Sequence, residues 1–270
     1  MSRALEARLS GEFFRAPFLK GNLHSAFRRT VNLAFGRRLI TLALPEVPGL
    51  PDSIVLPPEE FRRAADCSVG AAAEKRGTYI FIGGECRFSL EGAVLQDDGI
   101  TAGKPPDPET LENAAAAFLS GSGFARMPEE RRKSVFRRLE AFCREPSEQA
   151  MADCAGMGCG LTPSSDDAMV GILAARAAGL LPAVRLDPRR VWELLEDRTT
   201  DVSRKYLCCA AEGRFSQPLR EVFAEALPIP LQARVRAVAA VGATSGRDTL
   251  AGILFACRAA GEKGRNYAIL

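Results

Sequence analysis

Two stretches of this chain set glycine, hydroxyl and aspartate residues in the same order just ahead of an apolar run. Gly160–Gly179 reads GLTPSSDDAMVGILAARAAG, and Gly242–Gly261 reads GATSGRDTLAGILFACRAAG. Each gives glycine, then threonine and serine, then aspartate, then G-I-L and an alanine-rich segment closing on R-A-A-G. Asp167 lies four residues before Gly171, and Asp248 lies four before Gly252. Such a segment has the chemistry of a helix opening. The first N–H groups of a helix lack carbonyl partners, and its aligned peptide dipoles leave about half a positive charge there, so phosphate or carboxylate is attracted.

The residue types fit that role. Thr162, Ser164, Thr244 and Ser245 are short hydroxyl residues placed where orphan amides need acceptors. Gly158, Gly160, Gly242 and Gly246 remove side-chain bulk, so the backbone can turn sharply and approach a ligand. Small residues at Gly171 and Gly252 are expected to let the two helices come close and bring the turns together around one small anion. Arg247 neutralises charge there if it points inward. Asp167 and Asp248 are expected to orient backbone and hydroxyl groups rather than act as general bases. Without a ligand, Asp166, Asp167 or Asp248 can serve as a cap or first-turn acid, and the alternative is a pair of ordinary capped helices left by a duplication. A divalent metal bridging Asp166 or Asp167 to phosphate is the weaker reading, because an Asp-Asp pair at a helix start usually caps it. No metal and no cofactor is expected. A third hydroxyl cluster, Thr199-Thr200-Asp201-Val202-Ser203, leads into a segment with Tyr206 that ends at Gly213.

The elements that must position these turns follow from pattern. Arg38–Leu44, Ser53–Leu56, Thr78–Ile82 and Glu85–Leu90 are short apolar or alternating runs broken by proline and glycine, which predicts strands and tight turns. Gly99–Pro108 reads as a boundary. Beyond it, helical spacing predicts helices over Pro108–Leu119, Pro128–Cys143, Asp167–Leu181, Pro188–Leu195, Thr200–Glu212, Pro218–Leu227, Pro230–Val241 and Asp248–Ala260, with Gly179, Gly213 and Gly261 as stops. The expectation is an α+β protein: a β-rich part over residues 1–103, then a predominantly α-helical part over 104–270 carrying the duplicated loop-helix motif.

Composition narrows the function classes. The 270 residues include 36 basic and 33 acidic side chains, a net charge of +3, and 7% aromatics, which argues against a nucleic-acid surface. The eight cysteines form no C-x-x-C pair and the single histidine is His24, which argues against a structural zinc site. Met1–Gly11 has no apolar signal core, and the apolar runs fall short of the ~18 residues a membrane span needs. A cytoplasmic chain with reduced thiols is expected. A thiol chemistry at Cys159 or Cys208-Cys209 is the least supported reading, because the place matching Cys159 in the second turn is Ala243.

The segments GxGLTPSxDD (Gly158–Asp167), TTxxSxxYLxxAAxGxF (Thr199–Phe215) and GxTSGxDTLxG (Gly242–Gly252), in this order, resemble a bacterial family catalogued as the domain of unknown function DUF2877. Its members are similar to the AllH-type third subunit of oxamate carbamoyltransferase, from anaerobic allantoin breakdown. The resemblance is strong over about residues 150–261 and extends weakly to Phe27–Leu33, just after His24. It implies a cytoplasmic subunit that meets a larger acyl-CoA-synthetase-like protein in a hetero-oligomer and exchanges a carbamoyl group between phosphate and oxamate. Carried over residue by residue, it implies ligand contacts at Thr162, Ser164, Asp166, Asp167, Thr199, Thr200, Ser203, Thr244, Ser245 and Asp248. It assigns nothing to Ser165, Arg247 or His24. The rival function is a non-catalytic anion-binding or assembly subunit, which the lack of a nucleophile–base pair leaves open.

Overall fold

The computed structural model describes residues 5–84, 86–101, 103–225 and 227–261. The chain is α+β, as expected, and divides into two compact units between Asp98 and Gly99. Among the described residues, no helix is long and apolar enough to cross a membrane.

Among its described residues, the first unit is one nine-stranded sheet with two short helices. In chain order it contains β1 (Glu6–Arg8), α1 (Gly11–Arg15), β2 (Phe18–Ala26), β3 (Thr30–Phe35), β4 (Arg38–Ala43), β5 (Ser53–Val55), α2 (Pro58–Ala65), β6 (Ala72–Arg76), β7 (Tyr79–Ile82), β8 (Cys86–Ser89) and β9 (Val94–Leu95). The spatial order is β8-β7-β6-β2-β3-β4-β5-β1-β9. Neighbours are antiparallel except β4–β5 and β1–β9. Leu23, Val31, Leu33, Ile40, Leu42, Ile54 and Ile80 form its core. The register of β2 on β3 slips between Leu23 and Ser25, a bulge that leaves His24 out of the ladder; its Nδ1 lies 3.1 Å from Ser25 Oγ. Strands β4, β5, β7 and β8 lie within the runs that the sequence marks, whereas β1, β2, β3, β6 and β9 carry weaker patterns. In β6 (AAEKR) the period of two puts Lys75 inside, where it donates to the carbonyls of Ala16 and Gly77 and burial holds its ammonium below the usual lysine value.

The second unit is helical: α3 (Pro108–Ala116), 3₁₀ turns at Leu119–Gly121 and Phe124–Arg126, α4 (Glu129–Arg144), α5 (Glu148–Cys154), α6 (Ser164–Ala177), α7 (Pro188–Leu194), α8 (Asp201–Ala211), α9 (Gln217–Phe223), α10 (Leu231–Ala239) and α11 (Ser245–Gly261). The eight expected helices are present, and α5, capped by Ser147, joins them. Gly179 and Gly213 end α6 and α8 with φ of 94° and 77°, a region glycine enters without strain. Gly261 is the last described residue of α11. The two repeats are α6 and α11, buried on nearly every face. They cross where each has its glycine: a Cβ on Gly171 would overlap the carbonyl oxygen of Thr249, and one on Gly252 would overlap that of Ala168. The contact is reciprocal, since each glycine meets the residue just after the other repeat's aspartate.

No neighbouring backbone at that crossing can yield to a methyl group without moving a helix. Gly171→Ala and Gly252→Ala are each expected to lower the free energy of unfolding by about 1–3 kcal/mol, read as a lower urea midpoint.

Candidate functional site

The crossing of α6 and α11 brings their N-terminal turns together. Thr162 Oγ1 in the first turn and Ser245 Oγ in the second are 2.7 Å apart. Behind them, Asp167 and Asp248 occupy the first turns of their helices with 8% and 0% of their surface exposed. The surroundings of the two carboxyls are exchanged between the repeats. Asp167 is faced by Thr162 of its own turn and Ser245 of the other, and Asp248 by Thr244 of its own turn and Ser164 of the other.

Electrostatics at this centre are dominated by burial. It raises Asp167 well above the ordinary aspartate value of 3.8, against the pull of the Thr162 and Ser245 hydroxyls, and the nearby charge of Asp248 adds to the rise. Asp248 is raised for the same first reason, against Ser164 and the Gly123 amide. Asp248 Oδ1 accepts from the Gly123 and Phe124 N–H groups at 2.8 and 3.4 Å. No donor is set to Oδ2 of either aspartate among the described residues. Tyr206 on α8 is also pushed up by burial, with the charges of Cys209 and Asp167 contributing.

The helix openings are partly occupied by the chain itself. Ser165 N–H donates to Met157 O and Gly246 N–H to Val241 O. The amides of Ser164 and Ser245 have no acceptor among the described residues. Gly158, with φ of 150°, lies against the first of these, and a side chain there would overlap Ser164 N. Gly160 and Gly242 take φ of 95° and 64° on the exposed side of the turns. Gly246 is buried because a Cβ would overlap Val238 O on α10.

The remaining residues separate from this centre. Asp166 is the hub of an internal network: Oδ1 accepts from Gly156 N–H at 2.7 Å and Ser165 Oγ at 3.2 Å, while Oδ2 accepts from Ser203 Oγ at 2.6 Å and from Thr199 Oγ1. Thr200 caps α8, accepting from Ser203 N–H at 3.1 Å and donating to Leu161 O. The hydroxyl protons of Thr199, Thr200 and Ser203 are therefore used within the chain. Arg247 lays its guanidinium against the carbonyls of Gly121 and Ala243 at 3.4 and 3.3 Å.

One contributor lies outside the repeated motifs. Gly121-Ser122-Gly123-Phe124 wraps the second turn, supplying the two amides on Asp248, and both glycines leave room for its side chains. A Cβ on Gly121 would crowd the Arg247 guanidinium, and one on Gly123 would overlap Ser164 Oγ. The G-S-G triplet before Phe124 was the available signal. As for metal, Asp167 and Asp248 are the carboxyls that converge, and no group of three or more His, Cys, Asp or Glu side chains suited to an ion occurs among the described residues.

Two outcomes follow. Asp166→Ala would strand the Gly156 amide and the Thr199 and Ser203 hydroxyls, lowering unfolding stability by roughly 3 kcal/mol in a denaturant titration. Because the folded value of Asp167 lies above its unfolded one, its contribution to stability is whole below pH 3.8 and is lost as pH rises through the folded value. Asp167→Asn should flatten that loss, so that the variant gains melting temperature relative to the parent as pH increases.

Two family models match the chain. Residues 154–257 match the family model described as oxamate carbamoyltransferase subunit AllH, and residues 1–95 match the AllH family N-terminal domain. No solved structure matches the chain. The first match contains both turns, the Thr199–Ser203 segment and both crossing glycines, and together the two matches span well over half of the sequence: the chain belongs to the AllH family.

Proposed function

We propose that the paired turns bind a small carboxylate or phosphate, and that the chain works as a subunit of a carbamoyltransferase acting between oxamate and carbamoyl phosphate. The observation that carries this is the Thr162–Ser245 contact, which places two duplicated helix openings at one point. Carbamoyl transfer asks little covalent work of a protein. It needs two anions held in line and the developing negative charge met by fixed donors. The unclaimed amides of Ser164 and Ser245, at the positive ends of α6 and α11, are donors of that kind. Thr162, Ser164, Thr244 and Ser245 would add hydroxyls. Arg247 would act by holding the Gly121 and Ala243 carbonyls away from the anion. Asp166, Thr199, Thr200 and Ser203 would support the site by fixing the Gly156–Leu161 loop. The chain would act in a hetero-oligomer with a larger acyl-CoA-synthetase-like protein.

A second reading, a non-catalytic anion-binding or assembly subunit, is favoured by the Asp166 network, which spends the Thr199 and Ser203 hydroxyls and both Asp166 carboxylate oxygens on the fold itself.

Calorimetric titration of the full chain with oxamate and with inorganic phosphate tests the anion site. Binding of either is expected, weakened about tenfold or more in Thr162→Ala/Ser245→Ala; heats indistinguishable from dilution for both ligands would end it. Phosphorolysis of oxalurate, assayed for the chain alone and with its large partner, separates an autonomous enzyme from a subunit.

A further inference from the structure

Two carboxylate oxygens at the convergence of the turns remain without a partner. Asp167 Oδ2 and Asp248 Oδ2 are buried, and although hydroxyls of both turns lie near the carboxyls, no described donor meets either oxygen in hydrogen-bond geometry. Each carboxyl is faced by both turns, Asp167 by Thr162 and Ser245 and Asp248 by Ser164 and Thr244. For Asp248 the direction is explicit: Oδ2 and Ser164 Oγ both crowd the missing side chain of Gly123. An ionised carboxylate only accepts hydrogen bonds, and the unclaimed Ser164 and Ser245 amides only donate them. The centre is thus two-sided. A simple anion satisfies the amides and leaves both carboxylate oxygens facing more negative charge.

We propose that Asp167 and Asp248 are specificity residues that receive the two N–H groups of a terminal –C(=O)NH2, so that the site takes a small anion bearing a primary amide and rejects the same anion without it. This rests on the anion-binding reading above. A primary amide nitrogen carries two N–H donors in one plane, one for each orphaned oxygen, and two donors between the carboxyls offset their mutual repulsion. Oxamate has this make-up, a carboxylate at one end and –C(=O)NH2 at the other. The carbamoyl group presents the same –C(=O)NH2. Sites that hydrogen-bond a ligand N–H discriminate strongly against analogues lacking it, because the buried partner is left unsatisfied.

The test compares oxamate with pyruvate, which keeps the charge and outline and replaces –NH2 by methyl. Calorimetric titration of the full-length chain should find oxamate at least about tenfold tighter than pyruvate. Asp167→Asn and Asp248→Asn should each shrink that ratio. Equal affinity for the two ligands overturns amide recognition while leaving the anion site standing. Failure of both to bind removes the anion site and the inference together. A large ratio that survives both substitutions in folded variants assigns the discrimination elsewhere and refutes the role of these aspartates. The parent-chain ratio decides against the proposal even where a variant does not fold.

Discussion

Close approach of two backbones at Gly171 and Gly252 is the constraint from which the second unit follows. Helices separated by ordinary side chains stand about 8–10 Å apart, and larger residues at a crossing push them further. With hydrogen in place of a methyl on both sides, the carbonyls of Thr249 and Ala168 lie where those methyls would be. The crossing sits one turn from each aspartate, so the distance set there determines the distance between the openings. The Thr162–Ser245 contact, the exchange of hydroxyls and the burial of both carboxyls follow from it.

Around this centre the unit divides its polar groups between two tasks. Asp167 and Asp248 sit in a partly unsatisfied environment that disfavours their charged forms. Asp166, one residue away, is as deeply buried but surrounded by four donors. Burial still raises it, and its hydrogen bonds oppose that rise. Neighbours in sequence thus serve different ends: Asp166 fixes the loop that carries Gly158 and Thr162, and Asp167 is left with an open oxygen.

Much of this was legible in the sequence because it is local or repeated. Gly171, Gly252 and their spacing from the aspartates predicted both the close pair and the meeting of the turns. The C-terminal helices declared themselves by period and by proline starts. The sheet was harder. Strand β2 carries Lys20, Gly21 and Asn22, and β6 is built from residues that favour helices, so only pairing across the sheet defines them. Side-chain direction was also hidden. Nothing in TTDVS shows that Thr199 and Ser203 donate to an aspartate more than thirty residues upstream. Nor does the Asp248 motif announce that its amide donors come from Gly123 and Phe124, whose sequence separation from it exceeds 120 residues.

The exchanged serines carry an implication for how the two copies depend on one another. Each carboxyl draws one hydroxyl from its own turn and one from the other. A polypeptide with a single loop-helix copy would therefore present half of each pair, and only two such polypeptides related by a two-fold axis would complete them. The present chain supplies both copies in one polypeptide. Its symmetry is broken at the position before the aspartate, where one copy keeps Asp166 as an anchor and the other has Arg247, and from there the halves have become separate parts rather than duplicates.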